Sequence, residues 1–485
     1  MLRLYHLGAQ SLWIDEVFSV TSAGVGGSLS ARDLLENVHG PLYSLILHLA
    51  GRGPAASEWA LRLPSALAGI ALVPALAWLA AGWVGREAAI AAAWLAALSP
   101  FLVWYSQEAR NYMPLMLCVC LAALALVALA RAFRPGLALA AIAATGAGLL
   151  SNLSFVLLAP LEARWWWRAR PGWRWTLGAA LALGLLLAPW ALQALRIWDF
   201  HRLRPGAAAA GEPLRGATTF HVAAVPFALH AFAVGYTLGP SLHELRVGPP
   251  AAAIARHRPE LVAVGLVFGA LLLLGVRALA RRGRLVDLAL WTLLPALVVS
   301  YFALRIFKVF HPRYLAVAAP AFLLTLAAAF ADLGPRARAA VAIAVLVLWG
   351  AALQHHDFDP RYGKEDFRGA AALVRARGEA GEKLLALGAP EPVFHYYRGP
   401  LEAAPFWLGY AAGPDRLEAA LGKALRGTRG AWLVLSRPED LDPGDAFARW
   451  MGERFPEAQR FALEGVRIWH LDRGEVARLA AGSER

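Results

Sequence analysis

Charge is scarce in this 485-residue chain. Asp, Glu, Lys and Arg together make up 17% of it, where a soluble globular domain carries about 25%. Apolar residues make up 59%, and the mean hydropathy is +0.49. Those figures exclude a compact cytosolic enzyme and a disordered chain alike. Cysteine is nearly absent. The two present, Cys118 and Cys120, stand two apart inside an apolar run. They read as small core or lipid-facing residues, which excludes a disulfide scaffold and a cysteine-based metal knuckle. Internal repeats are absent as well.

What charge there is carries a bias. The formal net charge is +13, with 28 Lys/Arg against 14 Asp/Glu in residues 1–355 and 19 against 20 in residues 356–485. A basic excess can signal nucleic acid. Here the cations sit in short loops between apolar runs, so membrane topology is the better reading, and no nucleic-acid partner is expected.

A helix needs roughly 20 apolar residues to cross a hydrocarbon core. Runs near 63–84, 88–104, 113–131, 175–195, 261–280, 285–304, 314–332 and 337–354 satisfy that. The stretch 137–164 is too long for one span and is interrupted by Ser151-Asn152. It reads as two short helices meeting at a polar turn, giving about ten spans. With that count, Arg86, Arg131, Arg134, Arg164, Arg168, Arg170, Arg174, Arg277, Arg281, Arg282, Arg284, Arg336 and Arg338 share one side, which the positive-inside rule makes cytoplasmic. Residues 1–62, the 105–112 turn, segment 196–260, the 305–313 turn and the tail then lie outside. The apolar but Gly- and His-containing stretch 217–240 reads as interfacial or re-entrant.

After Asp357 the composition turns soluble. DFRGAAALVRARG, DRLEAALGKALRG and DAFARWMGERF read as helices, KLLALGA and AWLVLS as strands, and RFALEGVRIWHL as a closing hairpin. The expected fold is therefore a polytopic α-helical membrane domain, residues 1–355, followed by a small extracytoplasmic α/β domain, residues 356–485.

Several short motifs carry more polar chemistry than connecting loops need. Asp15 and Glu16 follow Trp13 on the outer side, and a carboxylate there can accept a proton from a hydroxyl or bind a cation. His39 precedes Gly40-Pro41-Leu42-Tyr43, with Pro41 suited to a first helical turn. Ser106-Gln107-Glu108-Ala109-Arg110-Asn111-Tyr112 joins two apolar helices with donors fit for a phosphate or sugar. Arg305, Lys308, His311, Arg313 and Tyr314 put cations on the side where the topology bias disfavours them, and an offsetting phosphate is the natural partner. The turn Gly235-Tyr236-Thr237-Leu238-Gly239-Pro240 suits close backbone approach to a ligand.

SLWIDEVFS, HGPLYSLIL, SQEARNYMPLML, AVGYTLGPSLHEL and FHPRYLAVAAPAF, in this order, resemble the GT-C superfamily of membrane glycosyltransferases. They are most similar to the bacterial branch of family 39, which includes protein O-mannosyltransferases and the lipid A aminoarabinose transferase. The opening of the tail, KEDFRGAAALVRARG, shares the resemblance. It implies a polyprenyl-phosphate-linked sugar donor, a lipid, glycan or protein hydroxyl acceptor, and transfer with inversion at the outer face of the inner membrane. It also implies Asp15 as general base with Glu16 orienting it. His39, Tyr43, Glu108, Arg110 and Tyr112 would contact substrate, and Lys308, His311, Arg313 and Tyr314 the lipid phosphate. A divalent cation is the one cofactor this set admits, though Asp15, Glu16 and His39 are too few ligands to decide it.

The chain departs from the family pattern in three places. The ten residues before Ser11 are too short to span, Gly40 stands where relatives often have Pro, and Ser151-Asn152 where they often have His. The alternative function is a secondary transporter or lipid flippase, which would tolerate Asp15→Asn.

Overall fold

The computed structural model describes the whole chain apart from residues 37–39, 53–56, 198–223, 242–243, 246–249, 306–309, 388–391, 398–400, 407–413, 439–441, 443 and 483–485. It divides into two compact units. The first comprises residues 1–7, 22–239 and 257–357, and the second residues 8–21, 240–256 and 358–485.

The first unit is a bundle of apolar helices. Among the described residues, seven helices are long and apolar enough to cross a membrane: Glu58–Trp83, Tyr112–Leu129, Trp173–Gln193, Arg258–Arg281, Leu285–Leu304, Pro312–Asp332 and Pro335–Phe358. An eighth span is the pair Arg86–Leu98 and Pro100–Ser106, bent by 53°. All eight long runs read from the sequence are accounted for. In place of the two further spans expected over 137–164 stand two short helices, Pro135–Ser151 and Ala159–Arg168, neither of the length that spans a membrane, joined by the 3-10 turn Leu153–Leu158. They double back on one another, since Thr145 Oγ1 donates to Glu162 Oε1 at 3.0 Å. Asn152 makes the corner by accepting Ser154 N–H with its side chain at 2.9 Å, an Asx turn that breaks the helix. Of stretch 217–240, residues 217–223 lie outside the described residues, and Ala224–Val234 is a short apolar helix.

The arginine-rich loops meet at one end of the bundle. Arg131 donates to Gly82 O, Arg282 to Val84 O and Asp332, Arg338 to Glu87, and Arg164 and Arg168 to Asp287. Packing inside relies on aromatic edges and on small residues. Trp94 lies against both Phe330 and Trp349, and Trp291 against Trp83 and Trp165. Gly275 lets Arg258–Arg281 reach the backbone of Pro312–Asp332, because a Cβ there would come within 2.0 Å of Thr325 O. Close approach at small residues is how helices associate where lipid removes the hydrophobic drive.

The second unit is built on a five-stranded mixed sheet of order β2-β1-β3-β5-β4. Its strands are β1 (Lys383–Leu387), β2 (Glu402–Phe406), β3 (Ala431–Ser436), β4 (Gln459–Leu463) and β5 (Val466–Leu471). β1 pairs in parallel with β2 and β3, and β5 runs antiparallel to β3 and β4. Helices Phe367–Arg377, Pro414–Ala424, Ala446–Arg454 and Arg473–Gly482 complete it. β3 is buried at all six positions, as a central strand covered on both faces must be. The first helix of the chain, Ile14–Ser22, also contributes to this unit.

Candidate functional site

In the first unit, the end opposite the arginine loops is polar and buried. Ser106, Gln107, Glu108, Ala109, Arg110, Asn111 and Tyr112 are all buried. Burying this much polarity is costly unless each group is bonded. Gln107 Nε2 donates to Leu2 O and Tyr5 O at 3.1 and 2.8 Å, and its Oε1 pairs with His356 Nε2 at 2.8 Å. Asn111 Nδ2 donates to Ser151 O at 2.7 Å. Ser65 Oγ donates to Arg110 O and pairs with Tyr43 OH, each at 3.1 Å. Tyr43 and Arg110, both singled out from the sequence, thus share one network through Ser65.

Gly40 is part of the same assembly. A Cβ at this position would lie 2.0 Å from Leu150 O, so the chain packs backbone against backbone at the hairpin corner. Pro41 opens helix Pro41–Ala50 at its first turn, as its sequence context suggested. His39 lies outside the described residues.

The 105–112 turn and the 311–314 corner converge on Tyr236. Its hydroxyl is 2.8 Å from that of Tyr105. Its ring packs against Phe101, Trp104 and Tyr105, and lies 5.9 Å from His311. His311 continues to Tyr314, and Tyr105 to Tyr112. The Arg313 guanidinium stands over Tyr314 at 5.4 Å and that of Arg110 over Tyr112 at 5.6 Å, distances of cation–π contact. Burial holds the Tyr236 hydroxyl above its ordinary range; Glu108 acts in the same direction, while the bond to Tyr105 and the charge of Arg313 oppose it. His311 Nδ1 accepts Arg313 N–H at 3.1 Å and so caps the 3-10 turn Pro312–Ala318. That bond places the neutral ring's proton on Nε2. Glu108, Tyr112, His311, Arg313 and Tyr314 are therefore gathered around one tyrosine pair. Lys308 lies outside the described residues.

Asp15 and Glu16 belong to the second unit, in the first turn of helix Ile14–Ser22. Acids are favoured there by the helix dipole. Glu16 is fully buried: its Oε2 accepts Trp13 N–H at 3.3 Å, half of a capping box, and pairs with Lys364 Nζ at 3.4 Å. Asp15 is half-buried. The whole Ser11–Glu16 stretch is tied to the opening of the tail. Ser11 Oγ donates to Glu365 O at 2.5 Å and accepts Phe367 N–H at 3.2 Å, while Leu12 N donates to Tyr397 OH at 2.6 Å. The two stretches of family-like sequence in this unit are thus one structural element. Among the described residues, no three His, Cys, Asp or Glu side chains converge as a metal-ligand group.

Sequence reasoning left Lys364, Tyr105, His356 and Arg3 out of the site. Arg3 is buried and donates to Ala96 O at 2.6 Å, Ala97 O at 3.0 Å and Ser106 Oγ at 3.1 Å. Pro100 has no N–H to offer Ala96, so Arg3 satisfies a carbonyl left open by the helix bend. HHD at the end of an apolar run was the signal available for His356; for the others no local signal exists.

The fold combines a multi-pass bundle with one buried polar end and a mixed-sheet domain. Residues 38–192 match the family described as dolichyl-phosphate-mannose-protein mannosyltransferase. No curated protein sequence matches the chain. Among solved structures it is similar to apo ArnT from Cupriavidus metallidurans, with TM-score 0.59 and 14% identity over 99% of this chain and 96% of that one. The same protein bound to undecaprenyl phosphate gives TM-score 0.55 and 14% identity over 99% and 97%. The oligosaccharyltransferase AglB from Archaeoglobus fulgidus, in complex with an inhibitory peptide and a dolichol-phosphate, gives TM-score 0.51 and 10% identity over 95% and 70%. The family match thus covers residues 38–192, and over the rest of the chain the likeness to solved structures is one of fold.

Proposed function

We propose that this protein transfers a sugar from a polyprenyl-phosphate-linked donor to a hydroxyl acceptor at the outer face of the inner membrane, with inversion. The observation that carries this reading is the buried polar turn Ser106–Tyr112, joined through Tyr105 and Tyr236 to the His311–Tyr314 corner. A bundle that packs an acid, two arginines, a histidine and four tyrosines at one end bears a cost that phosphate and sugar recognition would repay. The ligands bound to the similar ArnT and AglB structures, undecaprenyl phosphate and dolichol-phosphate, support a lipid phosphate as the anion.

In this reading Arg313, with Lys308 and the His311 ring, holds the donor phosphate, and Tyr314 sits at headgroup level. Glu108, Arg110, Tyr112 and Tyr43 orient sugar hydroxyls, and His39 is the further candidate from the sequence. Asp15 takes the proton from the acceptor hydroxyl as its oxygen forms the bond to the anomeric carbon. The bond from that carbon to the phosphate oxygen breaks on the opposite face, and polyprenyl phosphate leaves with its charge stabilised by the cations. Glu16 is a positioning residue, since its carboxylate is committed to Trp13 N–H and Lys364.

The test is a transfer assay in liposomes with a panel of polyprenyl-phosphate sugars. Wild type is expected to consume one donor and release polyprenyl phosphate, and Asp15→Asn to release it about 10²–10⁴-fold more slowly. Release of lipid phosphate at the wild-type rate by Asp15→Asn would remove the base from the mechanism. Movement of the lipid-linked sugar across the bilayer with its anomeric bond intact would replace the transferase by a flippase.

A further inference from the structure

The arginine-rich end of the bundle contains a cluster that sugar transfer does not use. Asp287, in the first turn of helix Leu285–Leu304, has a side chain only 1% exposed and is shared by three guanidiniums. Arg164 Nε lies 2.8 Å from Oδ1, Arg168 Nη1 lies 3.1 and 3.0 Å from Oδ1 and Oδ2, and Arg284 Nη1 lies 3.6 Å from Oδ2. One bidentate arginine would neutralise a buried carboxylate. Three leave a surplus of two positive charges and, at five N–H groups per guanidinium, most of roughly 15 donors for another acceptor. All three side chains remain 29–39% exposed, so those donors reach the surface. Arg170, just after helix Ala159–Arg168, and Arg174, at the start of the next helix, are both exposed.

The surroundings distinguish a lipid from a free anion. Trp167 and Trp173 are exposed beside the cluster, as in an interfacial aromatic belt. Trp166 Nε1 donates to Thr176 Oγ1 at 3.2 Å and holds helix Ala159–Arg168 to the start of Trp173–Ile197. The apolar stretch of that second helix has none of its residues buried inside the protein, so it presents a bare flank for acyl chains directly beside the arginines. We propose that Arg164, Arg168 and Arg284 form a site for the phosphodiester headgroup of an anionic phospholipid, with Asp287 splaying the three guanidiniums and the Trp173–Ile197 flank taking the chains. Basic pockets between spanning helices are suited to such headgroups.

The experiment is native mass spectrometry of the detergent-purified full chain after delipidation, titrated with phosphatidylglycerol or phosphatidylcholine. Wild type is expected to retain phosphatidylglycerol in preference. In R164Q/R168Q/D287N, which removes the acid together with two of its partners and so leaves no buried unpaired charge, retention should weaken about 30-fold at roughly tenfold per 1.4 kcal/mol. The control R134Q/R336Q removes two exposed arginines from the same end of the bundle and should retain the lipid as wild type does. Equal loss in both variants would reduce the site to a diffuse charge effect and overturn it. Complete displacement of phosphatidylglycerol by millimolar inorganic phosphate would overturn the lipid assignment in favour of a free-anion site.

Discussion

Tyr105 and Tyr236, 131 residues apart, share a hydrogen bond of 2.8 Å between their hydroxyls. The bond joins the turn bearing Glu108 and Arg110 to the corner bearing His311 and Arg313. Tyr236→Phe leaves the buried Tyr105 hydroxyl without this partner, at about 1–3 kcal/mol. If the pair positions the two halves of the site, transfer should fall roughly 5- to 30-fold. Tyr105→Phe should fall equally, and the double variant no further, because both changes break one coupling. Additive losses in kcat/KM across the three variants would show that the tyrosines act separately.

The adjacent acids 15 and 16 should separate cleanly in mutation. Asp15→Asn removes the proposed base and should lower transfer by about 10²–10⁴-fold with no loss of melting temperature. Glu16→Gln removes one charged partner of Lys364, whose side chain is only 10% exposed. Its main effect should be on stability, about 3 kcal/mol, measured as a lower melting temperature. The pair change E16Q/K364M removes both charges and should recover much of that loss. A Glu16→Gln protein of wild-type stability that transfers no sugar would exchange the roles assigned to the two acids.

What the sequence disclosed depended on distance along the chain. Spans were legible because a bilayer demands long apolar runs, and the 151–152 corner because a Ser-Asn pair has no other reason to interrupt one. Strands β1, β3 and the β4–β5 hairpin were legible from continuous apolar or turn-separated runs. β2 was not: EAAPF contains Pro405, and a proline is tolerated there because β2 lies at the sheet edge, a fact set by tertiary order. The terminal helix Arg473–Gly482 also went unread. In the site, the acidic pair and both polar turns stood out as motifs. Their partners did not, because Glu16–Lys364, Tyr105–Tyr236 and Arg3–Ala96 join residues 348, 131 and 93 positions apart. Local pattern shows which groups are costly to bury; only the fold shows what satisfies them.

Arg3 should matter to the helix bend at Pro100. It supplies donors to Ala96 O and Ala97 O where the helix bends at Pro100. Arg3→Met would leave one buried and one half-buried carbonyl without those bonds, a loss of about 1–3 kcal/mol. Hydrogen exchange should quicken first in residues 96–107, because Ser106 Oγ and the Gln107 amide depend on the same N-terminal stretch. Exchange that quickens uniformly over the bundle, with no excess at the bend, would mean that Arg3 adds only general packing.

The second unit should lose stability as pH rises, through Glu365. Burial raises the pKa of this carboxyl, Arg437 and Lys364 lower it, and Asp15 adds to the rise. A carboxyl whose folded pKa is raised binds its proton more tightly when folded. Its contribution is therefore fully present below the unfolded value, near 4.3, and is lost as pH climbs through the folded value. Between pH 5 and pH 8, hydrogen exchange in residues 364–377 of the full chain, corrected for intrinsic rates, should accelerate. Glu365→Gln should flatten that slope, and Asp15→Asn should reduce it, because removing the nearby negative charge eases ionisation of Glu365. An unchanged slope in Glu365→Gln would assign the pH response to another group. A slope unchanged in Asp15→Asn alone would show that the two carboxylates do not sense one another, and would remove the electrostatic link between the proposed base and the opening of the tail.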